Sequence, residues 1–457
     1  MTAIASEPEL LPGKSPADRS DVLRLCLLVT ASVLLNTLIG AIVGEKTSFL
    51  YKDVLQLTPT QTTELKLLLG LPAYVQPFVG AWTEIIPWLG YHRRTYYFCG
   101  VLVAILGYVT LALLHEYHYG AVVGLLLALG SGGVLASVVY NAAFVAVGNR
   151  SGTLPRLQSL AMLLPLLLST FYSSHLGGYV AEHWTYPRAY GTAAILALLL
   201  LPLILLMDDT RVPHGAAARL SEEAMQAHRE RRAQSFAILK QALKSRELWI
   251  FTAYIAYIAL TPSPDTARFY YEVDSLHFSK QFIGDLGMYG AVGALAGLGL
   301  ITLLARFVSL RMATWYSWIG NCAIYLCYFG IRDPVSAKIA FTFMGLSGSL
   351  YGVTNVALLG RACPRGAEAT VYGLLGSATA LFYLICDYAG TKLYDIFGPK
   401  NPAHHYTVAY GWNMSVAIGL AFAVVQVGFL PFLPAWTRSS ASISARRAEE
   451  ALEASTV

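Results

Sequence analysis

Residues 77–94 read PFVGAWTEIIPWLGYHRR. An apolar run ends on Glu84, the chain turns through Pro87 and Gly90, and Arg93 and Arg94 stand before the next apolar run. An acid and a basic pair on either side of a short glycine turn can form a charge-assisted latch, made in one arrangement of a molecule and broken in another. Each flank is long enough to cross a bilayer, whose hydrocarbon core of about 30 Å takes about 20 apolar residues per helix. The stretch reads as span, loop, span.

The same ruler, carried outward, separates twelve segments, at about 22–44, 60–81, 95–114, 120–147, 156–181, 189–207, 247–271, 281–305, 311–330, 334–360, 367–396 and 406–434. Composition agrees: 56% of the 457 residues are AVILMFWYC and 13% are charged, against about 25% charged in soluble domains. An all-α membrane protein is expected. Residues 1–21 lack the basic n-region and apolar h-region of a cleaved signal peptide, so the tail is expected to stay. With the N-terminus cytoplasmic, 22 of the 32 Lys and Arg fall on the cytoplasmic side; the positive-inside rule then puts both termini there, in the cell (inner) membrane. The net charge of +5 is topological and implies no nucleic-acid partner. The six cysteines are scattered with no Cys/His cluster, and His115 and His118 lack a third partner, so no metal and no cofactor is expected.

The long polar stretch around 208–246 has six spans on each side. The expected domains are a cytoplasmic tail at 1–21, a six-helix bundle at 22–207, a cytoplasmic linker at 208–246, a second six-helix bundle at 247–437 and a cytoplasmic tail at 438–457. A repeat is legible, LTPTQ at 57–61 answering LHFSKQ at 276–281 at a separation of 219. Parallel six-span repeats are the plan of secondary transporters that rock two bundles about a central site. GAVGALAGLG at 290–299 contains Gly293-x-x-x-Gly297 and reads as helix packing.

Gly80, Glu84, Gly90, Arg93 and Arg94 resemble the cytoplasmic loop 2–3 signature of the major facilitator superfamily, with Glu in place of the usual Asp and a longer turn. That longer turn, GTLPRLQSL at 152–160 and RACPRGAEATVYGLLGS at 361–377 look like the folate-biopterin transporter branch. The resemblance departs in span 4, where SGGVLASVVYNAAF at 131–144 holds no acid. It implies a secondary transporter of a small, folate- or pterin-like solute working by alternating access, not an enzyme, with a symported proton as candidate coupling ion. Lipids and the solute are the implied partners of a monomer. Arg361 is counted with the latch.

In that architecture spans 1, 4, 7 and 10 line the cavity. The polar residues there are Asn36, then Tyr140 and Asn141, then Tyr254, Tyr257, Thr261, Asp265 and Arg268 at helical spacing, then Tyr351 and Asn355, with Gln76 in span 2 and His175 in span 5. Pro262 and Pro264 interrupt span 7 in one turn and free carbonyls that only a cavity or a protein neighbour can satisfy. They are the candidate substrate-binding set, interhelical hydrogen bonding being the competing role. Intramembrane acids default to functional hypotheses: Glu45, Asp265 and Asp387 are expected either as proton-coupling groups or as an outer gate of pairs Glu45/Lys46, Asp265/Arg268 and Asp387/Lys392. A non-transporting assembly or pigment-handling factor on the same fold is the alternative function.

Overall fold

A computed structural model of the chain describes residues 19–85, 88–89, 91, 93–151, 174–206, 254, 257, 260–304, 310–362, 368–398 and 407–432. Helix α1 (Arg19–Phe49) continues into a π-helical turn at Leu50–Val54. Then come α2 (Pro59–Leu69), α3 (Leu71–Tyr74), α4 (Gln76–Ile85), α5 (Arg94–Leu113), α6 (Tyr119–Ser151), α7 (174–183) and α8 (Tyr186–Leu198). The second half holds α9 (Asp265–Asp274), α10 (Lys280–Leu304), α11 (Leu310–Phe329), α12 (Pro334–Ala362), α13 (Glu368–Ile396) and α14 (Val408–Val425). Among the described residues there is no strand, only an isolated bridge between Trp88 and Tyr91. Six described helical stretches are long and apolar enough to cross a membrane: Thr30–Val54, Arg94–Leu113, Tyr119–Val139, Tyr186–Leu206, Lys280–Ile301 and Val408–Phe432. The less apolar α11, α12 and α13 run for 20, 29 and 29 residues, enough at about 1.5 Å per residue to span the core.

Two expected spans are broken. The segment at 60–81 is three short helices, interrupted at Gly70 and Val75, with Pro72 and Pro77 just after the breaks. Span 7 breaks at its two prolines, as expected. Its chain leaves the helix at 261–264 and restarts at Asp265, because Pro262 and Pro264 bring no amide donor. Neighbouring helices satisfy the freed groups: Ser263 N donates to Cys386 O (3.0 Å) and the Tyr325 hydroxyl to Pro262 O (2.8 Å).

The repeat is visible in the backbone. Leu55 N bonds Leu50 O (3.0 Å) and Leu57 N bonds Tyr51 O (3.0 Å); 221 residues on, Leu276 N bonds Tyr271 O (3.2 Å) and Phe278 N bonds Glu272 O (3.1 Å). Gln56 and His277, at the same separation, both take φ near +52°. Thr58 then caps α2 with a capping box to Gln61, and Ser279 accepts from Phe282 N at the start of α10. In this loop the register is 221, not 219, because the hydrogen-bonded turns align Leu55 with Leu276. At the start of α12, Asp333 accepts from Val335 N and Ser336 N, and the bonds from Ser336 hold its carboxyl below the usual carboxylate range.

One core packs Leu28, Tyr96, Tyr97, Val139 and Ala193 between α1, α5, α6 and α8. The other centres on Trp412, with Tyr271 stacked on it (4.9 Å) and Tyr328 edge-on (5.8 Å). Helices α10 and α12 cross at backbone contact: a Cβ on Gly293 would run into Thr342 O, and one on Gly345 into Gly290 O. This is the packing role expected of the 290–299 run. Gly345→Val should therefore cost about 1–3 kcal/mol by overpacking, read as a lower unfolding temperature in detergent, while Gly348→Val, built into open space, should leave it unchanged.

Candidate functional site

The loop after α1 defines one end of the molecule, here called the distal end. Inter-half hydrogen bonds among the described residues gather there. At its surface Lys52 meets Asp274 (2.5 Å) and Lys280 meets Asp53 (2.6 Å), so each half gives one cation and one anion. Thr60 donates twice to Asp395, from N (3.1 Å) and Oγ1 (2.5 Å). Gln281 N donates to Glu182 (2.8 Å). Below, Tyr270 donates to Leu57 O (2.8 Å) and receives the Thr62 hydroxyl (2.7 Å), while Phe49 and Phe269 pack edge to face (5.0 Å).

Beneath this seal lies a belt of buried charge. Asp387, on α13, caps α9: Thr266 N donates to Oδ1 (2.8 Å) and Thr266 Oγ1 to Oδ2 (2.5 Å). The unpaired amides and positive dipole end of α9 explain how an acid is tolerated there. Lys66, from the other half, donates to Thr266 Oγ1 (2.7 Å) and stands 3.9 Å from Asp387. Asp265 accepts from Tyr328 (2.7 Å), Tyr383 (2.9 Å) and Ser263 (3.0 Å). Arg268 pairs with Glu272 (3.1 Å), one turn on, and lies over the Phe341 ring (4.6 Å). Glu45, from α1, enters the field of Arg268 and Lys66.

Asp265 and Asp387, two of the expected gate acids, meet at the start of α9, but the partners differ from those expected. Lys46 does not pair with Glu45; it donates to Ala181 O (3.1 Å) and Trp184 O at the end of α7. Asp387 is served by Lys66 and Thr266, not Lys392, and the ion pair of Arg268 is with Glu272, not Asp265. Sequence reading passed over Lys66 and Glu272, although each is a charge within or beside an apolar run, which the same rule flags. The hydroxyl donors Tyr328 and Tyr383 carry no such signal.

The candidate lining set divides. Asn36 is exposed and donates to Ser32 O (2.8 Å); Gln76 is half-buried where α4 begins. His175 Nδ1 is 2.6 Å from Asp285, linking α7 to α10. Tyr254 is fully buried and receives the Gln426 amide (3.3 Å), while Tyr257 donates to Phe422 O (2.9 Å). These two are bonded to the chain at 422–426. Tyr351 is half-buried beside Ser347 on α12. The side chains of Tyr140, Asn141 and Asn355 lie outside the described residues. Of the latch, Gly80 sits in α4 against Val138, and Arg93 and Arg94 open α5 and are engaged by neighbours. Gly90 and the side chains of Glu84 and Arg361 lie outside the described residues.

Two repeated helical halves that meet through charge pairs at one end have the architecture of the major facilitator fold. The fold matches the crystal structure of a POT family transporter in complex with 5-aminolevulinic acid, with a TM-score of 0.62, 12% identity and coverage of 90% of this chain and 96% of that one. The chain belongs to the BT1 family, whose profile matches residues 40–448. It is 25% identical to a folate-biopterin transporter of Synechocystis sp. over 363 residues, covering 76% of this chain and 70% of the relative. It is 22% identical to probable folate-biopterin transporter 2 of Arabidopsis thaliana, covering 75% and 70%.

The belt makes a directional prediction. Lys66→Met leaves Asp387 without its cation and should destabilise the closed distal end by roughly 2 kcal/mol, less than the about 3–5 of a fully buried pair because Lys66 is half-exposed. Thiol labelling of a Thr62→Cys reporter should then quicken, and adding Asp387→Leu should slow it again; no change in rate would contradict the pairing.

Proposed function

We propose that this transporter moves a folate- or pterin-like solute across the cell membrane by alternating access, with proton coupling. The halves are the six-helix bundles 22–207 and 247–437, joined by a cytoplasmic linker at 208–246, in a monomer with both termini cytoplasmic. The observation that carries the reading is the distal end, where both halves supply charges to shared pairs that can be made or lost only together. With the distal end outward, this is the outward-closed state, and substrate exchanges with the cytoplasm.

The names of the relatives support the substrate class, and the chemistry beneath the seal is compatible with it. Tyr383 is 56% exposed and Asn36 is exposed; a tyrosine face stacks on a planar ring, and an amide pairs with the amide-like edge of a pterin. Lys66 offers a cation to a folate carboxylate. Coupling is supported by the surplus of acid in the belt, with Glu45, Asp265, Glu272 and Asp387 facing Lys66 and Arg268. A buried carboxylate without a counter-charge is held neutral by a proton at far lower cost than as an anion.

Cells expressing the protein should accumulate labelled folate or biopterin above empty-vector cells, and a protonophore should abolish the excess. Asp387→Asn should lose accumulation while reaching the membrane normally. No uptake of either solute, with the protein shown in the membrane, would reject the substrate class; uptake indifferent to the protonophore would reject the coupling.

A further inference from the structure

A stripe of side chains runs inward from the distal seal along α13. Asp395, Thr391, Asp387 and Tyr383 follow one another at four-residue steps and so share one helix face. That face meets α2 of the other half twice, where Thr60 donates to Asp395 and where Lys66 stands beside Asp387. Along it Thr391 is fully buried, Asp387 is 2% exposed and Tyr383 is 56% exposed. The Tyr383 hydroxyl is held by Asp265 at the start of α9 (2.9 Å), so the exposed ring is turned to the space between the halves and not to lipid. The Lys66 side chain is 37% exposed. A cation and an aromatic face thus open together beneath the seal.

The hold of Asp387 on Lys66 is loose. Among the described residues the ammonium makes one hydrogen bond, to Thr266 Oγ1 (2.7 Å), although it carries three donors. Thr266 in turn donates to Asp387, whose carboxylate stands 3.9 Å from Lys66 without a direct bond. The other charged and titratable groups around Asp387 are engaged elsewhere or exposed. From α9, Asp265 accepts from three hydroxyls and Arg268 pairs with Glu272. From α3, Tyr74 donates to Leu67 O (3.3 Å). On α13 itself Asp395 is bonded to Thr60 and Lys392 is exposed. Among the described residues Lys66 is therefore the one cation in ion-pair reach of Asp387. A buried carboxylate that loses its only counter-charge is neutralised by a proton.

We infer that a carboxylate of the solute takes Lys66 from Asp387 while the aromatic group beside it lies on the Tyr383 ring, so that one proton enters on Asp387 with each carboxylate carried. Opening the distal end draws Lys66, of the first half, away from Asp387, of the second. On that side the solute carboxylate binds Lys66, and a proton passes from solution onto an Asp387 oxygen with no change of oxidation state. Closure carries both. When the solute leaves on the other side, Lys66 returns to Asp387 and the proton leaves there too. The proton is taken up outside and given up inside, so an inward proton gradient drives accumulation. The inference rests on the proposed folate- or pterin-like reading and narrows it: the coupled solute is an aromatic carboxylate, and a pterin without a carboxyl group leaves Lys66 with Asp387.

The test is calorimetric binding to the purified full-length protein, with a pH indicator in weak buffer reporting proton uptake. The probes are folate, benzoylglutamate (carboxylates without a pterin) and biopterin (a pterin without a carboxylate). Between about pH 6 and 8 a free carboxyl stays ionised, so a linked proton belongs to the protein. There the affinity of the parent for benzoylglutamate should fall by up to about tenfold per unit rise in pH, with up to one proton taken up per ligand bound. Asp387→Asn, which carries no charge to compete, should bind it more tightly at the upper end of that range, without pH dependence or proton uptake; a misfolded variant would not gain affinity. Lys66→Met should lose the binding and Lys66→Arg recover it. Neither anion binding, anions bound without proton uptake, Asp387→Asn titrating like the parent, or biopterin drawing in as many protons would each overturn the exchange. Proton-linked binding of benzoylglutamate with no binding of folate or biopterin would reject the folate- or pterin-like reading and leave the exchange standing.

Discussion

A charge inside an apolar bundle must find a partner, since an unpaired ion there costs several kcal/mol or is neutralised by a proton. In this chain that requirement is met partly within each half, as by Arg268 and Glu272, and at the distal end across the boundary between halves. Lys66 of the first half stands by Asp387 of the second, Lys52 by Asp274, and Asp53 by Lys280. Among the described residues none of these charges has its ion-pair partner within its own half. The rest of the distal architecture follows from making those meetings possible.

The broken elements belong to the same logic. Pro262 and Pro264 end one helix so that another can begin at Asp265, and that new N-terminus supplies the amide that Asp387 accepts. Without the break, Asp387 would face a continuous helix with no free N–H. The Pro262 carbonyl is recovered by Tyr325, and the hydroxyl of its helix neighbour Tyr328 goes to Asp265, so α11 supports both sides of the interruption. A structure held closed by paired charges and hydroxyls around a small apolar cluster can be reopened by moving one half relative to the other. That is the physical content of a gate.

Much of this was legible beforehand. Length and hydropathy placed the apolar segments, and the loop at 77–94 carried the resemblance that the family match bears out. The acids Glu45, Asp265 and Asp387 stood out as charges in apolar surroundings, and Asp265 and Asp387 meet at the start of α9. Their partners were not legible, because sequence proximity suggested Lys46, Arg268 and Lys392, whereas the fold supplies Lys66, Thr266 and three hydroxyls from distant helices. Lys46 shows why: a cation beside an acid was drawn instead to the carbonyls that end α7. The break in span 7 was legible too, since Pro262 and Pro264 fall in one turn and free carbonyls that neighbouring helices then satisfy. Tyr254 and Tyr257 fell to a neighbouring helix, a fate that periodicity alone cannot distinguish from facing a cavity.

The central claim is that the distal end must open and close for transport. Thr60 and Asp395 come from opposite halves, and the Thr60 hydroxyl lies 2.5 Å from the Asp395 carboxylate, so cysteines placed at both can be joined by a short reducible bis-thiol cross-linker. In a chain otherwise free of cysteine, Thr60→Cys/Asp395→Cys should transport before reaction, stop when cross-linked and recover with reductant. Undiminished transport by the fully cross-linked protein would contradict the account.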